Sequence, residues 1–150
     1  MLTRENMLKG RDKQFPSDWN QQLSDNLDET IQKVNAFLVA VGLQDRKPSS
    51  GWRPPSVNAS TKGAAPRSNH MLCMAADIED ADGAVWRACM ANLALLKTLG
   101  LYLEDKRWCP TWTHFQTIRP ASRKRIFLPH SGVPPKSPHF EGKYDTSYDG

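Results

Sequence analysis

Two of the chain's four histidines stand where they can share a metal ion. His70 precedes Asp77 in an HxxxxxxD spacing, and His114 lies in Trp112-Thr113-His114-Phe115-Gln116, a run with strand character. A histidine inside a buried strand must satisfy both ring nitrogens. Metal ligation by one nitrogen and a hydrogen bond from the other does so. Two histidines and one carboxylate leave a tetrahedral zinc with one open position, the pattern of a catalytic rather than a structural site. On spacing alone the same residues also read as ordinary polar side chains of a folded domain. His130 and His139 stand among prolines without ligand partners and carry no assigned role.

The elements that must position these residues follow from periodicity. Leu27, Ile31, Val34, Leu38 and Val41 recur at 4-3-4-3 spacing and predict a helix from Ser24, with Ser24 or Asp25 as its cap and Gly42 at its end. A second helix is expected over residues 82–99, with Val85, Cys89, Leu93 and Leu96 as its inner stripe and Gly100 as its stop. Short strands are expected near Ser49–Arg53, Ala75–Ile78, Leu101–Leu103, Trp112–Ile118 and Arg125–Leu128. Residues 1–20 read as charged and irregular, with Pro16 and Trp19 as anchors. Residues 43–69 read as a long loop, rich in Pro, Ser, Gly and Lys. Residues 1–128 form one domain in this reading, and 129–150 a Pro-rich extended or disordered tail.

Composition narrows the function classes. The chain has 150 residues, the size of one domain that buries a core without disulfides. Its three cysteines lack CxxC spacing, which argues against a disulfide framework or a cysteine-rich zinc knuckle. Met1–Gly10 has no apolar run, so neither a signal peptide nor a membrane span is expected, and the chain should reside in the cytoplasm of the cell that makes it. The net charge of +4 is mild. A basic cluster, Arg119, Arg123, Lys124 and Arg125, follows Trp108, Trp112 and Phe115. Without a nucleic-acid motif it reads as a solvated face or a protein contact, and a nucleic-acid module ranks last.

Three segments, taken together, resemble a known family. Ser68-Asn-His70-Met-Leu-Cys73-Met-Ala75-Ala-Asp77 resembles the SxHxxGxAxD signature of the zinc D-Ala-D-Ala carboxypeptidase and L-alanyl-D-glutamate peptidase family. Upstream, Ser50-Gly51-Trp52-Arg53-Pro54 with Asn58 is similar to its SGYR-x-x-x-x-N segment, and Gly63-Ala64 to the link that follows. Downstream, Trp112-Thr113-His114 resembles its W-x-H motif. The resemblance implies an α+β fold of the hedgehog/DD-peptidase type, with a small, mainly antiparallel sheet and two main helices. It implies Zn2+ as cofactor, held by His70, Asp77 and His114. Arg53 matches an arginine that binds a substrate carboxylate or carbonyl oxygen, a task its planar fork suits. Ser68, which either hydrogen-bonds behind the ligands or caps a turn, and Trp112 complete the expected substrate side.

Two positions depart from the pattern. Cys73 replaces glycine, which makes its thiol either a stray fourth ligand or a small buried hydrophobe. Many members place an acid three residues before the last histidine, but here that position is Thr111, which cannot accept a proton. Glu104 and Asp105 are the nearest carboxylates, and Glu104 is the candidate base if its strand pairs with Trp112–Gln116. A solvated strand-end carboxylate is the alternative. The implied activity is hydrolysis of peptidoglycan stem-peptide bonds by a phage-encoded lysis enzyme or virion component. The other reading is a virion structural or interaction protein that keeps the fold, with other virion proteins as partners.

Overall fold

The computed structural model describes residues 1–129. The expected tail therefore lies outside the described residues apart from Pro129, as do His130 and His139. The architecture is α+β: six α-helices and a five-stranded sheet.

The sheet forms from β1 (Pro48–Ser50), β2 (Ala75–Glu79), β3 (Tyr102–Glu104), β4 (Trp112–Gln116) and β5 (Ile126–Phe127), in the order β1-β2-β4-β3-β5. Neighbours pair antiparallel except β3 and β5, which run parallel. Alternation along the strands sorts their side chains. Ala76, Ile78, Leu103 and Phe115 enter the hydrophobic core, whereas Asp77, Glu104, His114 and Gln116 occupy the alternate positions.

The core face is covered by α3 (Gln21–Ala40), α5 (Ala84–Ala91) and α6 (Leu93–Leu99). Leu27, Val34, Phe37 and Leu38 of α3 are buried, and the Phe37 ring lies 5.7 Å from that of Phe115. Each such side chain contributes about 1.5–3 kcal/mol by leaving water. The helix starts earlier than the apolar spacing predicts. Asn20, not Ser24 or Asp25, caps it by accepting from Leu23 N. It ends as expected, with Gly42 at φ 74°.

The expected second helix is two. Asn92 leaves helical geometry at φ −134° and ψ 41°, and its side chain donates to the Ala88 carbonyl. The freed chain end restarts as α6, so Val85, Cys89 and Leu96 still reach the core. Residues 1–20 are helical rather than irregular. Thr3 and Asn6 form a reciprocal capping box for α1 (Arg4–Leu8), which buries Met7 and Leu8. After it come α2 (Arg11–Gln14) and a 3-10 turn, Pro16–Asp18. Trp19 does anchor this segment, edge-on to Trp52 at 4.9 Å. The stretch expected to be loop contains α4 (Pro55–Ser60), opened by Pro55 in its first turn. Among the described residues no helix is long and apolar enough to cross a membrane.

A buried ion pair locks the helix layer to the sheet. Lys106 Nζ donates to Asp80 Oδ2 at 2.9 Å and to the Trp112 carbonyl at 2.8 Å, and both side chains are fully buried. Asp80 also accepts from Val85 N, Trp86 N and Thr113 Oγ1. One carboxylate thereby caps α5 and ties it to β4.

Candidate metal centre

Asp77 and His114 face each other directly across the antiparallel β2–β4 pair. Opposed residues project to the same side of a sheet, and His114 Nδ1 lies 2.8 Å from Asp77 Oδ1. His70 comes from the 3-10 turn Asn69–Leu72 that leads into β2. Ser68 caps that turn by accepting from His70 N, and Cys73 closes it in the left-handed region at φ 57°. His70 Nε2 then stands 3.3 Å from Asp77 Oδ1, and the two imidazole rings are 5.2 Å apart. The candidate ligand atoms of His70, Asp77 and His114 all lie within 4.8 Å of one another.

The donor chemistry fits a cation. The ligand-atom spacings of 2.8 and 3.3 Å lie a little inside the separation of roughly 3.4 Å that tetrahedral bonds of about 2.1 Å produce. His70 Nδ1 lies 2.9 Å from the Gly51 carbonyl, which can only accept. The His70 proton therefore sits on Nδ1, and the Nε2 lone pair is aimed at the Asp77 carboxylate. Two lone pairs converging on one another repel unless a metal ion or a proton lies between them. Asp77 reflects this. Burial alone would raise its pKa, but the imidazoles of His70 and His114, when protonated, hold it far below the usual carboxylate range. Burial would conversely lower the pKa of His114, yet the Asp77 carboxylate more than offsets that and raises it. This buried group of residues can hold a metal ion.

The remaining expected residues gather unevenly around it. Arg53 donates its backbone N–H to the His70 carbonyl and its Nη2 to Ser68 Oγ. Its Nε is buried with no hydrogen-bond partner. Burial lowers the Arg53 pKa while the charges of Asp77 and Glu104 oppose that, so the guanidinium senses both carboxylates. Ser68 Oγ accepts from both His70 N and Arg53 Nη2, so it caps the turn and holds Arg53. Half-buried Trp112 begins β4 on the same side as His114, paired with Glu79.

The β3–β4 register pairs Tyr102 with Gln116 and Leu103 with Phe115. One further step sets Glu104 across from His114, so Asp77, His114 and Glu104 form a row over three adjacent strands. Burial raises the Glu104 pKa, the His114 charge and a Cys109 hydrogen bond oppose it, and Asp77 adds to it. Asp105 instead forms an ion pair with Arg107. Thr111 is exposed, and its carbonyl accepts from Asp80 N.

Cys73 is not a fourth ligand. It is fully buried in the hydrophobic core, where burial pushes its thiol up to about 12. Arg125 leaves the expected basic face. It is buried, donates to the Leu101 carbonyl at 2.6 Å and lies over the Tyr102 ring at 4.2 Å. Sequence reasoning missed the Gly51 carbonyl, Asn69 and Gln116. Of these, Gln116 left a signal, since it sits two residues beyond His114 on the same side of the strand. No family model, curated protein or solved structure matches the chain.

Proposed function

We propose that this chain is a zinc-dependent peptidase that hydrolyses stem-peptide bonds of peptidoglycan, as a phage lysis enzyme or a virion-associated cell-wall hydrolase. The observation that carries the reading is the convergence of two imidazoles and one carboxylate on the sheet side away from α3, with Arg53 and Glu104 beside them. Its donors are the imidazole and carboxylate set that suits zinc, and its motifs resemble those of the zinc D-Ala-D-Ala carboxypeptidase and L-alanyl-D-glutamate peptidase family.

His70, Asp77 and His114 would hold the zinc. Bound there, zinc supplies Lewis acidity for a carbonyl and lowers the pKa of water to about 7. Glu104 serves as the base. Its raised pKa and its place across from His114 suit a carboxylate that takes a proton and returns it to a leaving amine. Arg53, with a buried Nε lacking a partner, holds a substrate carboxylate or carbonyl oxygen. Ser68 keeps the guanidinium in place, and Trp112 flanks the substrate. Such an enzyme is made in the cytoplasm of the host cell or carried in the virion.

A second reading is favoured by one position. Thr111 replaces the acid that many relatives of this type carry, and a virion structural protein that keeps the fold without turnover needs no base there.

Metal analysis and peptidoglycan digestion test both. The purified protein should carry about one zinc per chain, lost in His114→Ala, and zinc-loaded protein should release new amino termini from peptidoglycan. Glu104→Gln should keep the metal and abolish release. A metal-free wild type contradicts the zinc reading, and zinc-loaded protein without release supports the structural one.

A further inference from the structure

We infer that a recess beside the candidate metal centre is a peptide subsite that takes an aliphatic side chain of the substrate. Calling the occupant a substrate rests on the peptidase reading above. The recess has a volume of about 380 Å3 and lies between the end of β4, the loop that follows it, and β5. That is within the usual range for ligand sites, about 300–1,000 Å3. Two of its walls also belong to the metal centre. Phe127 pairs with Glu104 in the parallel β3–β5 ladder, so it carries the row of Asp77, His114 and Glu104 one strand further. Its ring stands edge-on to that of His114, 6.3 Å away. Opposite, Asn69 precedes His70 and Gln116 follows His114 by two residues. Asn69 Nδ2 donates to Gln116 Oε1 at 3.0 Å, and Gln116 Nε2 donates to the Ile118 carbonyl at 2.7 Å. These bonds fix the edge of the recess nearest the candidate ligands.

The lining selects the occupant. Ile118, Pro120 and Phe127 are only half-buried and Leu128 is 58% exposed, so apolar surface faces the opening. An aliphatic side chain covers such surface, and burying one of leucine size favours binding by roughly 10–100-fold. Among the described residues no acidic side chain lines the recess, which disfavours a basic occupant. Arg119 lines it from an exposed position, which makes an acidic side chain the competing occupant. Strand order sets which part of the substrate reaches it. Arg53 follows β1 at one edge of the sheet, and Phe127 belongs to β5 at the other. Asp77 and His114 lie between them on β2 and β4. The recess therefore receives the residue on the side of the scissile bond away from the group that Arg53 holds.

Binding and cleavage are read separately. Backbone 1H–15N spectra of the full chain are titrated with the N-acetyl amides of leucine, glycine and glutamate. The leucine probe should shift the amides of Ile118, Ala121, Phe127 and Leu128, and bind at least about 10-fold more tightly than the glycine probe. No shift at these residues, or an equal response to glycine, overturns the proposal. A stronger response to glutamate overturns it too, in favour of an acidic side chain. Ala121→Trp fills the recess from an exposed position that the fold does not depend on, and should abolish the leucine response. A response that survives in the folded variant also overturns the proposal. Leucine binding in the recess, with no amino termini released from peptidoglycan by zinc-loaded protein, defeats the peptidase reading and leaves the recess standing as a peptide site. Release without leucine binding does the reverse.

Discussion

Gly51 shows how much a single residue without a side chain can carry. A Cβ there would stand 2.2 Å from the Met7 carbonyl oxygen, inside backbone that cannot swing aside. Trp52 N donates to that same Met7 oxygen, while the Gly51 carbonyl receives His70 Nδ1. The glycine lets α1 approach closely enough to hold the segment after β1 whose carbonyl orients His70. Gly51→Ala should therefore cost about 1–3 kcal/mol in urea unfolding, and zinc affinity should fall with it. Wild-type affinity in the folded variant would show that His70 needs no such support. The three candidate ligands were legible through the motifs around them, since on spacing alone they also read as ordinary polar side chains. The sequence could not make the Gly51 carbonyl legible, since every residue offers the same backbone carbonyl. Cys73 was half legible. Its burial follows from its type, but its left-handed backbone at φ 57° follows from the turn it closes.

Elements long enough for several turns were readable from the sequence, and shorter ones were not. The spacing of α3 repeats over 20 residues, so its apolar face stands out. By contrast, α1, α2 and α4 span 5, 4 and 6 residues, too few for a period to emerge. The break between α5 and α6 hid because the apolar stripe continues through Asn92. The junction of α5 with the sheet rests on charge instead. Lys106 and Asp80 are both removed from water, and the carboxylate also accepts two α5 backbone N–H groups. Truncating one partner leaves a buried charge uncompensated. Lys106→Met should therefore destabilise the fold by about 3–5 kcal/mol, read from the shift in denaturant midpoint. A loss under about 1 kcal/mol would mean that α5 docks through apolar contacts alone. Nothing in the local sequence pairs these two residues, because the sheet brings them together.

At the scale of the whole molecule, the α+β class implied by the resemblance agreed with the order of strands and helices, whereas the pairing of β3 with β4 entered the sequence reading only as a condition, one that the structure meets. The parallel β3–β5 pair was not readable, since a two-residue strand carries no pattern. The site couples folding to pH. In the metal-free protein the His114 pKa is raised above its ordinary value of 6.5. Its contribution to stability is therefore fully present below pH 6.5 and lost as pH rises through the raised value. Metal binding needs that proton gone. The stabilisation conferred by zinc should accordingly grow between about pH 6 and pH 8. With zinc at about 100 times Kd it approaches ~2.7 kcal/mol, or about 5–11 °C in Tm for a chain of this size. Thermal melts with and without chelator at both pH values measure it. An equal increment at the two would separate the metal from the histidines.

The facing pair Asp77 and His114 is separated by 37 residues of chain, including both helices α5 and α6 and strand β3. Their ligand atoms meet only after β4 has been inserted between β2 and β3 in register. A metal ion finds no complete set of donors on a partly assembled chain, so it has little to grip on the way in. Once the pair has closed, a bound ion must be released before β2 and β4 can part. A metal ion held there would act on the unfolding limb of the kinetics and leave the folding limb almost untouched. Such an ion would work as a latch on the finished sheet rather than as a guide to its assembly.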